Sequence, residues 1–117
     1  MHELSIVEAL IEQVEREVRR AGQKGRINRL ELVIGRLSGV HCDSVRFAFD
    51  LLAPGTLVEG AKVDISEPRA VCCCRGCGAR EEIDQLVSEC PRCHSAEITI
   101  EEGRQLLLQS IEIEDHT

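Results

Sequence analysis

Two short cysteine pairs constrain this chain more than anything else in it. Cys74-Arg75-Gly76-Cys77 and Cys90-Pro91-Arg92-Cys93 are both C-x-x-C, and twelve residues separate Cys77 from Cys90. Gly76 and Gly78 allow the tight backbone turn that brings two sulfurs onto one ion, and Pro91 fixes φ in the second turn. Four thiolates from two such turns match the tetrahedral preference of Zn²⁺. The spacing is slightly shorter than in most zinc ribbons but is enough for a hairpin. The competing readings are a disulfide framework and buried free thiols. Disulfide frameworks belong to small exported chains, this sequence opens without the features of a secretory leader, and its cysteines number seven, an odd count. A site closed by four cysteines has no open position for water or substrate, so the zinc is expected to be structural. Any chemistry would then lie elsewhere in the chain, and the chain as a whole is read as a non-enzyme.

The other cysteines and one histidine crowd these turns. Only Cys74 stands at the right distance from Cys77 to repeat the second turn. Cys72, Cys73 and Cys42 are read as small buried or half-buried hydrophobes. His94, next to Cys93, is an alternative ligand of lower rank.

The 117 residues suit one small body with a satellite, and the metal holds together a part too small to build its own core. The formal charge of −7 becomes −9 once four thiolates and a divalent ion are counted, and the aromatic residues are limited to Phe47 and Phe49. Modules that bind nucleic acid are usually basic and bear aromatic side chains, so a nucleic-acid role is disfavoured. No apolar run is long enough to span a bilayer. Reduced thiols point to the cytoplasm.

Apolar periodicity supplies the elements. Ser5 to Glu8 reads as a capping box, followed by a helical stripe of Val7, Leu10, Ile11, Val14, Val18 and Ala21 that ends at Gly22. Ile27 to Leu37 alternates as a strand. Asp43 is a candidate cap for a second helix carrying Val45, Ala48, Phe49 and Leu52, stopped at Ala53-Pro54-Gly55. Thr56 to Glu59 repeats the capping-box pattern over a short turn. Ala61 to Glu67 is a second strand, Glu81 to Val87 and Glu97 to Glu101 flank the cysteine turns, and Leu106 to Ile113 is a last strand with a bulge expected near Ser110. The expected fold is α+β, a small mixed sheet packed with two helices, with a zinc-ribbon-like module inserted before the last strand. Residues 1–69 with 104–117 are assigned to the body, and 70–103 to the zinc module.

The beginning of the chain offers a second site. The Met1 amine, the backbone nitrogens of His2 and Glu3, and the His2 imidazole make four nitrogens within one short segment. Such a set suits Ni²⁺ or Cu²⁺, which favour planar nitrogen fields. Amide nitrogen must lose its proton to bind, so affinity should fall with pH. The bland alternative is a solvated histidine. His41 beside Cys42 is likewise read as a surface or helix-entry pair.

Across nearly its whole length the sequence resembles the HypA/HybF family of nickel metallochaperones for [NiFe]-hydrogenase maturation. The residues that carry the likeness are Met1 to Ile6, Ile34 to Val40, Arg46 to Asp50, Gly55-Thr56, Glu59 to Ala61, the two cysteine turns, and Ile111 to Glu114. The resemblance implies labile Ni(II) held by Met1, His2 and Glu3, and structural Zn(II) held by Cys74, Cys77, Cys90 and Cys93. It also implies delivery to the hydrogenase large subunit together with a HypB-type GTPase, and in some relatives service to urease maturation proteins. The sequence departs from the family pattern in the triple cysteine Cys72-Cys73-Cys74, where Cys73 could exchange into the ligand set, and in His94, where glycine is common. Two other classes remain open from the residues alone. One is a zinc-ribbon protein-interaction or nucleic-acid-binding module without nickel. The other is an iron electron carrier with four thiolates.

Overall fold

The computed structural model describes residues 2 to 114, residue 2 by its backbone alone. The order of elements is α1 (His2–Arg20), β1 (Ile27–Ile34), α2 (Cys42–Leu52), β2 (Lys62–Ser66), β3 (Ala70–Cys74), β4 (Arg80–Ile83), β5 (Ile98–Glu101) and β6 (Leu106–Ile113). They form two three-stranded sheets, ordered β2-β1-β6 and β4-β3-β5. The α+β expectation therefore holds. The chain divides into two compact units: 1–32 with 40–65 and 107–117, and 33–39 with 66–106.

In the first unit the helices pack on each other through their apolar stripes. Val7, Leu10, Ile11, Val14 and Val18 of α1 are buried, as are Val45, Ala48 and Phe49 of α2 and Leu30 and Leu32 of β1. Each of these side chains larger than alanine contributes about 1.5–3 kcal/mol by leaving water. The first helix starts at His2, so Ser5 lies inside the helix rather than at its cap. The reason is packing: position 3 falls four residues before Val7 on the buried stripe, and Glu3 is itself buried. With position 3 on the buried face, the helix runs past a local capping signal. The far end follows the sequence. Gly22 takes φ +65°, Gln23 N–H donates to Val18 O and Gly22 N–H to Arg19 O, which is a Schellman turn.

The second helix begins at Cys42 with His41 at the N-cap, where its side chain makes no capping bond. Asp43 thus sits in the first turn, where its charge suits the helix dipole, rather than at the cap. The Thr56 turn also differs from a capping box. The Thr56 hydroxyl donates to Ala53 O at 2.7 Å and accepts from Val58 N–H, one residue short of the Glu59 N–H that a box would use. Along β6 the accessibility changes phase where the bulge was expected: Leu108 and Ile111 are half-buried, Gln109 and Ser110 exposed, and the strand continues through.

The second unit is built on β3, which the sequence reading did not assign as a strand. Val-Cys-Cys-Cys lacks the usual strand signature, yet β3 is the central strand of its sheet. It pairs antiparallel with β4 (Cys72 opposite Glu81, Cys73 opposite Arg80) and with β5 (Cys72 opposite Ile100, Cys74 opposite Ile98). The expected strand at Glu81 to Val87 is Arg80–Ile83 instead; beyond it Asp84 takes ion pairs from Arg36 and Arg69. The core is small: Ala70, Cys72 and Ile83, with Leu37, Val87, Ile98 and Ile100 packed against it. Backbones meet closely here. Gly35 N–H donates to Gln105 O at 2.7 Å and Leu37 N–H to Gly103 O at 2.6 Å. A Cβ on Gly35 would lie 2.2 Å from Gly103 C, and a Cβ on Gly103 2.6 Å from Ala70 Cβ, so only glycine fits either place.

Candidate metal centre

The two cysteine turns have the same local construction. Cys74 N–H donates to Ala79 O and Gly78 N–H to Cys74 O; Cys90 N–H donates to Ser95 O and His94 N–H to Cys90 O. Both turns close with a residue of positive φ, Gly78 at +74° and His94 at +64°. Glycine adopts that backbone freely, whereas histidine does so at a cost. In each turn the first sulfur accepts two backbone N–H groups. Gly76 and Cys77 donate to Cys74 Sγ at 3.2 and 3.4 Å, and Arg92 and Cys93 to Cys90 Sγ at 3.4 and 3.5 Å.

The turns bring four sulfurs together. Cys74, Cys77, Cys90 and Cys93 hold their Sγ atoms within 4.8 Å of one another, and among the described residues no other metal-ligating cluster forms. The Cys74–Cys93 sulfurs are 3.5 Å apart and the Cys77–Cys90 sulfurs 3.7 Å. A tetrahedral zinc with bonds near 2.3 Å requires sulfurs about 3.8 Å apart. The donor set fits such an ion with little adjustment, and no disulfide links these or the other cysteines.

Proton affinities in the cage diverge. The Cys77 N–H, aided by Cys93, Gly76 and Cys77 hydrogen bonds and opposed by burial, brings the Cys74 thiol down to about 7. Cys90 is lowered chiefly by the Cys93 N–H. Cys93 goes up to about 12: the Ser95 N–H favours its thiolate, but Cys74, burial, Cys77 and Cys90 together outweigh that donor. Such a cage holds protons in the absence of an ion, and a soft-tolerant divalent cation displaces them on binding. When bound, the metal supplies cross-linking of the two turns, and these four side chains would hold it.

The remaining candidates fall outside the cage. Cys72 is buried in the core beside Ala70 and Ile83, and burial pushes its thiol up. Cys73, half-buried, faces the other way on β3 and accepts from Arg80 Nη1 at 3.0 Å. Its thiol is raised, first by burial. His94 Nδ1 lies 3.0 Å from Glu89 Oε1 and not among the sulfurs. His41 and Cys42 sit at the entry of α2, as expected. Of the proposed nickel ligands, Met1 and the His2 side chain lie outside the described residues. Glu3 is described: its side chain is 6% exposed, the only charged group so buried among the described residues. From the sequence only its backbone nitrogen is a candidate ligand; the signal for its burial is its place four residues before Val7.

Comparison with known proteins gives a consistent picture. The family model described as hydrogenase/urease nickel incorporation, metallochaperone, HypA matches residues 1–113. A hydrogenase maturation factor HypA of Chlorobium limicola is 45% identical over 115 residues, covering 98% of each chain. That of Chlorobaculum tepidum is 40% identical over 97% of this chain and all of the relative. The solution structure of the Ni metallochaperone HypA from Helicobacter pylori superposes with a TM-score of 0.66 at 29% identity and covers 97% of both chains. No described helix is long and apolar enough to cross a membrane. With a four-cysteine cage built on paired turns, an α+β body, and relatives matched from end to end, this chain belongs to the HypA family of nickel-incorporation metallochaperones.

Proposed function

We propose that this chain carries Ni(II) at its N-terminus and delivers it to the large subunit of a [NiFe]-hydrogenase during maturation, without catalysing a reaction itself. The observation that carries the reading is the family match from residue 1 through the cysteine turns to residue 113. The nickel is cargo. Its ligands in this reading are the Met1 amine, the His2 imidazole and the backbone nitrogens of His2 and Glu3. The start of α1 at His2 supports it, because the first N–H groups of a helix have no intrahelical acceptor and are free to be deprotonated onto a metal. The buried Glu3 side chain supports it as well, since it fixes the first turn of α1.

Zn(II) occupies the Cys74, Cys77, Cys90 and Cys93 cage in this reading and braces the module of residues 70–103, leaving cargo handling to the body of residues 1–69 and 104–117. The partners are a HypB-type GTPase and the hydrogenase large subunit, in the cytoplasm, with urease maturation proteins as a further class of client.

The deciding experiment is a nickel titration of the native chain against a version carrying one extra residue before Met1, with His2→Ala alongside. The native chain is expected to bind nickel, and both variants to lose it while keeping zinc and helix content. An extended chain that loads nickel as well as the native one would refute the N-terminal site.

A further inference from the structure

The acidity of this chain is unevenly spread. Between Arg16 and Arg29 stand six basic residues (Arg16, Arg19, Arg20, Lys24, Arg26, Arg29) and one acidic residue, Glu17. That is a local +5 in a chain of −7, which leaves −12 for the rest. The segment is the last part of α1, its Schellman turn and the start of β1. Arg16, Arg19, Arg20, Lys24 and Arg26 are exposed. Arg20 makes a loose pair with Glu17 at 3.7 Å, and Arg29 a close one with Asp64 at 2.5 Å. Among the described residues no ion pair involves Arg16, Arg19, Lys24 or Arg26.

Helix architecture explains part of this pattern only. Cations at a helix C-terminus offset the macrodipole, which accounts for Arg19 and Arg20. The final carbonyls need no side-chain donors, however, because Ala21, Gly22 and Gln23 N–H groups already bond Glu17, Arg19 and Val18 O. Lys24 and Arg26 lie past the helix altogether. A second observation falls at the same place. A cleft of about 400 Å³ is lined by Glu15, Val18, Arg19, Gln23, Lys24 and Leu57. Leu57 is 42% exposed, an aliphatic surface next to cationic heads.

We propose that this end of α1 is a docking surface for an acidic segment of a protein partner, with an aliphatic side chain of that segment entering the cleft against Val18 and Leu57 and its carboxylates meeting Arg19 and Lys24. Charge complementarity selects the sign of the partner, and the aliphatic lining, which includes no aromatic residue, favours protein over single-stranded nucleic acid, whose bases stack on aromatic side chains. The remaining −12 would also repel a long polyanion. At about 1.5 Å per residue, Arg20 stands roughly 27 Å along α1 from His2. A partner held here leaves the first turn of the helix open. The inference does not depend on what that first turn binds.

The test uses the full zinc-loaded chain and a fluorescein-labelled peptide of glutamates around a central leucine, followed by anisotropy. The peptide is expected to bind, and more weakly as salt rises. Arg19→Glu with Lys24→Glu should weaken binding by about tenfold or more. Leu57→Ser, or serine in place of the peptide's leucine, should weaken it several-fold. Lys62→Glu with Arg104→Glu, the same charge change elsewhere, should leave it unchanged; helix content and zinc stoichiometry verify that each variant is folded. Absence of peptide binding, equal losses in the two charge-reversed pairs, or preferential binding of a uridine oligonucleotide or phosphatidylserine vesicles would overturn the proposal.

Discussion

Replacing Gly35 with alanine tests how the metal module is built. The new methyl would lie 2.2 Å from Gly103 C, 2.3 Å from Gly103 O and 2.5 Å from Arg104 N, all backbone atoms. Ordinary contact begins near 3.4 Å, so the two chains must part by about 1 Å. Gly103 has no room to retreat, because it is stacked against Ala70, and Ala70 begins the strand that ends in Cys74. Overpacking of this kind costs about 1–3 kcal/mol. Separation also strains two short bonds, Gly35 N–H to Gln105 O and Leu37 N–H to Gly103 O, worth about 1 kcal/mol each. The expected loss is roughly 3–5 kcal/mol. For a domain of this size that lowers Tm by roughly 12–20 °C in a calorimetric melt of the zinc-loaded protein. Gly76→Ala is the control. Its methyl would meet Ser95 Cβ and Oγ at 3.3 Å and Cys74 Sγ at 3.5 Å, so the neighbours need give only a few tenths of an ångström; the expected change is about 1 kcal/mol or less. Equal melting temperatures for Gly35→Ala and wild type would refute the close-packing argument.

Four other outcomes are expected. Cys74→Ser should reduce zinc per chain in atomic absorption, whereas Cys73→Ser should leave it unchanged; a drop in the second would place Cys73 in the cage after all. Zinc uptake by the metal-free chain should acidify an unbuffered solution, since thiols such as Cys93, pushed up to about 12, must surrender protons. By the same competition, zinc affinity should fall as pH is lowered, because protons compete for the four thiolates; a pH-independent affinity would contradict a thiolate cage. His94→Gly should raise the denaturant midpoint for zinc release, because a left-handed residue costs about 1–2 kcal/mol and glycine's extra freedom in the unfolded chain takes back about 0.5–1 kcal/mol. The pair with Glu89 is exposed and adds little against this.

How much of this was legible in the sequence differs by feature. The cage was, because a C-x-x-C turn is a local device: the sulfurs, the N–H groups that polarise them and the positive-φ closing residue all lie within five positions. The helices were legible from their stripes, but their starts were not. Ser5 and Asp43 are sound local caps that lost to tertiary packing and to the chain path before α2, and no periodicity rule weighs those terms. The missed strand β3 failed for a related reason. Its pairing with β4 and β5 is non-local, and three consecutive cysteines look like ligands before they look like a strand.

That missed strand also decides the ligand question the triple cysteine raised. In a strand, neighbouring side chains point to opposite faces. Ala70, Cys72 and Cys74 are buried on one face of β3, while Val71 and Cys73 are half-buried on the other. Cys72 is held in the core, and Cys73 is held by Arg80, which is also paired with Glu101 at 3.2 Å. Bringing Cys73 into the cage would require β3 to slip by one residue, which would turn Ala70 and Cys72 out of the core and break the register with both neighbours. The cage would also lose the Gly76 and Cys77 N–H bonds, which reach Cys74 Sγ only from its present place in the turn. Strand parity turns Cys73 away and core packing holds Cys72, so of three adjacent thiols only Cys74 stands among the other sulfurs, and the two cysteines left over are fixed by an ion-pair network and by packing rather than by the metal.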